Sequence, residues 1–181
     1  MIARWTDWSG QGSEHLVLRA EPDSITAESV VVGPAPDGFG VRYRVLCDPA
    51  WRVRQVEVDL MGDDKRVRLI ADGHGRWLDD VTRQTLRELD DVLDVDLAFT
   101  PFTNTLPIGR LGLKDGQSAD IVVAYLQVPE LTPIPDAQRY TCLVEGKRYR
   151  FESLDTDFTR EIDIDDHGLV VNYPGMFRRV V

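Results

Sequence analysis

Apolar and polar residues alternate along much of the chain, a pattern that predicts β-strands. In residues 41–47 every second side chain, from Val41 to Cys47, is apolar, and Arg42 and Arg44 occupy the other face. Strands that are buried on one face show this period of two. The same period recurs in residues 93–99, 149–151, 158–164 and 169–173, so strands are predicted for most of the chain.

The predicted strands form a strongly curved antiparallel sheet. The apolar positions shift by one residue at Arg54-Gln55, which is typical of a β-bulge. Turn signals such as Asp37-Gly38, Asp72-Gly73 and His167-Gly168 recur at intervals suited to a meander of hairpins. We therefore expect an all-β fold with a minor helical component. It is a single domain over residues 1–181 that forms a curled antiparallel β-barrel or half-barrel.

Three segments depart from simple alternation. Residues 82–92 place leucines at spacings of three and four and predict the one helix. Residues 121–126 are apolar on both faces, which fits either a strand covered on both sides or a wall facing an apolar ligand, and the covered strand is favoured. The proline-rich residues 129–135 cannot join a central strand, so we expect a loop that is either anchored by its apolar side chains or acts as a lid.

The composition is that of a globular protein with an acidic surface. Of 181 residues, 21 are basic and 31 are acidic, and the net charge of −10 argues against nucleic-acid binding. The sequence contains no stretch typical of a transmembrane helix and no recognisable signal peptide, so a cytoplasmic location is expected. Cys47 and Cys142 lack metal-ligand spacing and are expected to be buried thiols. Neither a metal nor a cofactor is predicted.

Few residues indicate acid-base chemistry. Two of the three histidines lie in Asp-Gly-His-Gly and Asp-Asp-His-Gly turns, which explain them fully. His15 follows Glu14, and a neighbouring carboxylate can orient a histidine as a general base, but no serine or cysteine nucleophile motif accompanies it. Asp94 and Asp96 share a strand face, an arrangement that fits paired carboxylates but is more often a solvated face. We assign no catalytic residue.

Aromatic and hydrogen-bonding side chains concentrate in loop-like segments, above all in residues 99–108. Aromatic faces stack on sugar rings or enclose acyl chains, and Asn and Thr bond to hydroxyls, so this mixture suits an amphiphilic ligand. The alternative is an aromatic core that closes one end of a barrel. The candidate ligand-binding residues are Trp51, Trp77, Phe99, Phe102, Asn104, Arg110 and Tyr125.

Several strings resemble one known family. Residues 71–77 (ADGHGRW), 100–108 (TPFTNTLPI) and 166–179 (DHGLVVNYPGMFRR) are similar to parts of the bacterial putative glycolipid-binding family. The resemblance implies an antiparallel β-barrel or curled half-barrel similar to bacterial lipoprotein and lipid carriers, with a glycolipid or lipid-like ligand. It transfers no catalytic residue to this chain.

Three functions are consistent with the sequence. The leading one is a non-catalytic protein that binds a glycolipid or other amphiphile in a cavity of the curved sheet. The second is a small β-barrel hydrolase or lyase that uses His15 or His74 with Asp72, Asp94 or Asp96. The third is an interaction module whose acidic surface contacts a basic partner protein.

Overall fold

Strands dominate the structure, a computed structural model that describes residues 1–34, 36 and 38–181. In chain order they are β1 (Ile2–Asp7), β2 (Ser13–Glu21), β3 (Ser24–Val32), β4 (Gly40–Cys47), β5 (Val53–Leu60), β6 (Arg66–Ala71), β7 (Trp77–Asp79), β8 (Gln84–Thr85), β9 (Asp94–Leu97), β10 (Ser118–Leu126), β11 (Ile134–Val144), β12 (Arg148–Ser153), β13 (Thr159–Ile164), β14 (Val170–Tyr173) and β15 (Phe177–Arg179). The helical elements of the described residues are two 3₁₀ helices, Arg87–Leu89 and Phe102–Asn104, and the α-helix α1 (Thr105–Leu111). The predicted fold class is confirmed. The turn expected at Asp37-Gly38 lies partly outside the described residues.

The strands belong to one curled sheet of 15 strands that does not close. From β1 the chain runs as a meander outward to the edge strand β8. It continues at the opposite edge with β9 and returns inward to β15, which pairs with β1. Neighbouring strands are antiparallel except for β9 and β10, which are parallel and are linked through α1.

The connection between the two edge strands explains the curl. A flat sheet of 15 strands would be roughly 65–70 Å wide, since neighbouring strands lie about 4.8 Å apart. Residues 86–93 join β8 to β9, and so short a segment spans at most about 30 Å. The sheet must therefore bend until its edges approach each other. The connection passes close to β5, where the Val53 N–H donates to the carbonyl of Leu93 at 3.4 Å.

The β-bulge predicted from the phase shift is present between β4 and β5. Leu46 pairs with Gln55 and Cys47 pairs with Val53, which leaves Arg54 as the extra residue of β5. A bulge of this kind increases the local twist of a sheet. The bulge therefore contributes to the strong curvature that the sequence predicted.

The prediction of a helix over residues 82–92 is wrong. The segment forms β8 and the 3₁₀ helix Arg87–Leu89, and the φ angles of Arg83 and Asp91, 59° and 68°, lie outside the right-handed helical range. Leu89 and Val92 are nevertheless buried in the core. The helix-like spacing of apolar residues therefore comes from a loop that connects the two edges of the sheet and packs its side chains into the core. The α-helix instead lies in the segment that we expected to be a loop.

The other two unusual segments behave differently from each other. In β10, Val123 and Ala124 are both buried although neighbouring strand residues point to opposite faces, whereas Val122 is exposed. The covering on both sides that was favoured for residues 121–126 therefore holds only for part of that segment. Leu131 is buried and anchors the proline-rich loop. Ile134 and Pro135, by contrast, begin β11, which lies inside the strand order. Proline is tolerated at the start of a strand, so the assignment of all these residues to a loop was too broad.

The interior of the curl is filled by two hydrophobic clusters that meet at α1. Leu106 packs in the cluster formed mainly by β1–β6 and the residues around β9, and Ile108 packs in the cluster formed by β11–β14. Cys47 belongs to the first cluster and Cys142 to the second, and both are buried free thiols, as expected. The helix and the residues before it therefore act as an internal support for both halves of the sheet.

Candidate functional site

Two adjoining cavities lie beside the loop that follows β9. The first, which we call the apolar chamber, has a volume of about 260 Å³, and the second, the polar chamber, about 210 Å³. Ala98, Met176 and Phe177 line both cavities, so one small set of side chains separates them. Together their volumes fall in the range of roughly 300–1,000 Å³ that is usual for small-molecule sites.

Aromatic side chains form much of the wall of the apolar chamber. Trp5, on β1, is almost fully buried, and its Nε1–H donates to the carbonyl of Val170 at 2.7 Å. Phe39 and Phe99 meet edge to face with ring centroids 6.2 Å apart. These contacts fix the rings in place, and an apolar surface of this kind favours a hydrocarbon ligand.

A buried carboxyl group, that of Glu14, also lines the apolar chamber. Because β2 alternates, Glu14 shares the inward face with Leu16. Its Oε1 accepts hydrogen bonds from the hydroxyls of Ser29, Tyr43 and Thr100, at 2.7, 2.7 and 2.9 Å. Burial raises the pKa of Glu14 to about 7, although these hydrogen bonds oppose the rise. Among the described residues, its Oε2 has no hydrogen-bond partner.

Polar side chains from two strands line one side of the polar chamber. Asp136 and Gln138 are two residues apart on β11 and therefore share a face. The Gln138 Nε2 donates to Asp136 at 2.9 Å and to Asp96 of β9 at 2.8 Å, and Thr103 donates to Asp96 at 3.0 Å. Burial raises the pKa of Asp96. The Oε1 of Gln138 has no partner in the described part of the chain, so the chamber offers unused hydrogen-bonding capacity.

Aromatic rings also line the polar chamber. Phe151 packs against Phe158 with centroids 5.9 Å apart and against Tyr173 with centroids 6.4 Å apart, both edge to face. Aromatic rings and carboxylate and amide oxygens in one cavity suit a ring that carries hydroxyls, since such a ring has both C–H surfaces and donors. The carboxyl groups of Asp96 and Asp136 disfavour an anionic group here.

The chain is similar to known proteins. A family model described as "Putative glycolipid-binding" matches residues 2–179. The chain belongs to this family. A crystal structure of a DUF1089 family protein from Pseudomonas aeruginosa is similar, with 36% sequence identity and a TM-score of 0.82 over 94% of this chain and 92% of that one. No functionally curated protein is significantly similar to the chain. The family resemblance inferred from the sequence is confirmed.

Three of the sequence-predicted ligand residues line the chambers of this glycolipid-binding family member. Phe99 lines the apolar chamber, and Asn104 and Tyr125 line the polar chamber. Asn104 accepts a hydrogen bond from the hydroxyl of Tyr140 at 2.9 Å. The structure therefore brings these three residues to one continuous region around Ala98.

The other four predicted residues lie elsewhere. Trp77 and Phe102 are almost fully buried in the core, where the Nε1–H of Trp77 donates to a backbone carbonyl at 2.8 Å. Arg110 forms an ion pair with the buried Asp94, with Nη2 and Oδ2 2.6 Å apart. Trp51 lines a separate, more open cavity of about 420 Å³ beside α1. None of the four lines either chamber.

Sequence reasoning did not select three polar residues of the chambers, Glu14, Asp136 and Gln138. Glu14 interrupts the inward face of a strand whose other inward residues are apolar, and Gln138 is on the same face as the buried Tyr140. A polar residue at an inward-facing position is the signal that would have found them, but it requires the strand phase to be known.

In the described residues, no side-chain hydrogen bond joins His15 or His74 to Asp72, Asp94 or Asp96, and the Asp72 carboxylate instead accepts from the backbone N–H of His74 at 2.7 Å. Glu14 points inward, whereas His15, the next residue of the strand, accepts a hydrogen bond from Arg4 on the other face at 3.0 Å. In the part of the chain that the structure describes, His74 is exposed in a turn, and the side chains of Asp94 and Asp96 bond to other residues. In the described residues, no cluster could hold a metal ion and no helix is long and apolar enough to cross a membrane.

Proposed function

We propose that the protein is a non-catalytic binding protein for a glycolipid-like amphiphile. The apolar chain of the ligand occupies the apolar chamber, and its sugar head occupies the polar chamber. The observation that carries this proposal is the shared wall: Ala98, Met176 and Phe177 lie between two small cavities. Both cavities have a largely apolar surface, and the second one also presents the polar side chains of Asp96, Asp136 and Gln138. The family description supports the same ligand class.

The head group is a polyhydroxyl ring without an anionic group. Asp96, Asp136 and the free oxygen of Gln138 accept hydrogen bonds from hydroxyls, and the rings of Phe158 and Tyr173 contact C–H surfaces. Two carboxyl groups in one chamber repel a phosphate or a carboxylate. The ligand that fits is therefore a glycoside without an anionic group.

The affinity depends on the length of the alkyl chain. Each methylene group that leaves water contributes about 0.8 kcal/mol, which corresponds to a nearly fourfold change in dissociation constant. The gain stops when the apolar chamber, with its volume of about 260 Å³, is filled. A polar surface site without a chamber would show no such series.

Isothermal titration calorimetry with hexyl, heptyl and octyl β-D-glucosides below their micelle concentrations tests the proposal. We expect affinity to rise about threefold to fourfold with each methylene. Ala98→Phe places a ring between the chambers and should abolish binding without unfolding the protein. Ala20→Phe is the matched control, since Ala20 is exposed near the end of β2, and it should bind as the wild type does. Equal affinities along the series, or unchanged binding by Ala98→Phe, would contradict the proposal.

A further inference from the structure

The carboxyl group of Glu14 is the one polar feature of the apolar chamber that is both buried and incompletely bonded in the described residues. Glu14 is only 5% exposed and lines the chamber. Three hydroxyls converge on its Oε1, those of Ser29, Tyr43 and Thr100, whereas its Oε2 has no partner. A buried polar atom without a partner is destabilising, and such atoms are rare in native proteins.

We infer that Glu14 anchors the ligand by a hydrogen bond between its Oε2 and a hydroxyl group carried by the part of the ligand that enters the apolar chamber. This inference rests on the proposed function, because it assigns a chemical class to the apolar part of the same ligand. A plain hydrocarbon would leave the buried oxygen unbonded. A hydroxyl donates to the ionised carboxylate and also accepts from the protonated carboxyl group, so it satisfies both forms of Glu14.

The charged groups around Glu14 disfavour an anionic ligand. Asp7, at the end of β1, lines the same chamber, and hydrogen bonds from Ser9 and Gly12 lower its pKa despite the opposing effect of burial. Tyr43, on β4, has a pKa raised well above its usual value by burial and by Glu14. Asp7 is therefore ionised and Tyr43 is neutral from pH 5.5 to pH 8, and no cationic side chain of the described residues lines the chamber. A ligand carboxylate placed near Oε2 would meet negative charge.

Two probes of equal size separate a donor from an acceptor. 1-Octanol and heptyl methyl ether have the same number of carbon and oxygen atoms, but only the alcohol donates a hydrogen bond. At pH 8, where Glu14 is mostly ionised, the carboxylate requires a donor, and we expect the alcohol to bind about tenfold more tightly. At pH 5.5 the protonated carboxyl group donates to either oxygen, so the preference should fall below about threefold.

Competition of each probe with octyl glucoside, measured by calorimetry at both pH values, gives the test. Glu14→Gln should still bind octyl glucoside but should lose the change of preference with pH. Glu21→Gln, the same substitution at an exposed position of the same strand, should retain it. If Glu14→Gln loses the pH dependence of the preference and Glu21→Gln keeps it, the pH dependence does not come from Asp96. The raised pKa of Asp96, in the neighbouring chamber, would persist in Glu14→Gln.

A measurement on the wild type avoids any dependence on the folding of the variant. The pKa of the Glu14 carboxyl group, followed by carbon-13 NMR, should fall on saturation with 1-octanol and should not fall with the ether. If the two probes bind with equal affinity at pH 8 and octyl glucoside also binds to the protein, the inference is overturned and the proposed function stands. Failure of all three compounds to bind would overturn both.

Discussion

Replacing Glu14 by Gln should change how the stability of the protein depends on pH. The side chains have nearly the same shape, and the Gln carbonyl oxygen accepts the hydrogen bonds from Ser29, Tyr43 and Thr100 that the Oε1 of Glu14 now accepts. Gln does not titrate. The substitution therefore removes one proton-binding group from the interior and leaves its surroundings in place.

The magnitude follows from the two pKa values. Glu14 has a pKa of about 7 in the folded protein because of burial, against an ordinary value of 4.5. Between these values the folded state binds one proton more than the unfolded state, so the free energy of unfolding falls as the pH rises. Each pH unit corresponds to 1.36 kcal/mol, so the wild type loses about 3 kcal/mol between pH 4.5 and pH 7 through this group. The loss continues through the folded-state pKa and is complete about one pH unit above it.

Urea unfolding of the wild type and Glu14→Gln at pH 5, 6, 7 and 8, followed by tryptophan fluorescence, measures this effect. Other carboxyl groups with raised pKa, such as Asp94 and Asp96, contribute equally to both proteins and cancel in the difference. We expect Glu14→Gln to gain about 3 kcal/mol relative to the wild type between pH 5 and pH 8. A difference that is constant with pH would refute the assignment of Glu14 as a buried group that titrates near neutrality.

Three further substitutions test the structural account by urea unfolding. Arg110→Met should lower the free energy of unfolding by about 3–5 kcal/mol, because the fully buried carboxylate of Asp94 loses its partner, and a loss below about 1 kcal/mol would contradict this. Gly75→Ala should lower the free energy of unfolding more than Gly62→Ala does. Both glycines have a positive φ, but only at Gly75 would the new Cβ meet backbone, with the Cα of Asp91 2.6 Å away. Equal losses in the two variants would argue against this contact. Trp77→Phe should lose about 2 kcal/mol through its indole hydrogen bond and reduced packing, and an unchanged midpoint would show that the bond is unimportant.

The strands were predictable because burial on one face leaves a direct record in the sequence. Val41, Tyr43, Val45 and Cys47 are buried in β4, as the alternation indicated. The bulge at Arg54 was predictable for the same reason, since one extra residue shifts every later side chain to the opposite face. These features depend on neighbouring residues only.

The helical segments were assigned to the wrong places because their positions depend on distant contacts. Leu86 and Leu89 have helical spacing, but they lie in the segment that connects the two edges of the sheet, and the backbone at Asp91 has a positive φ. The short helix α1 contains Pro107 and Gly109, which are poor helix formers in general. It is stabilised by packing of Leu106 and Ile108 into the two clusters, which no local pattern reveals.

The candidate site was predictable by residue type but not by position. Phe99, Asn104 and Tyr125 line the chambers, whereas the aromatic rings of Trp77 and Phe102 serve the core. An aromatic residue has the same sequence signature in a core and in a binding site, because both bury apolar area. Only the three-dimensional contacts separate the two roles.

Native mass spectrometry tests the central claim, that the two chambers hold one amphiphile, most directly. The protein is purified from its own host without detergent, its intact mass is measured, and any retained molecule is released by denaturation and identified. We predict one glycolipid-like molecule without an anionic group for each wild-type chain and none for Ala98→Phe. An unliganded wild-type mass that stays unchanged after addition of alkyl glucosides, or equal retention by Ala98→Phe, would contradict the account.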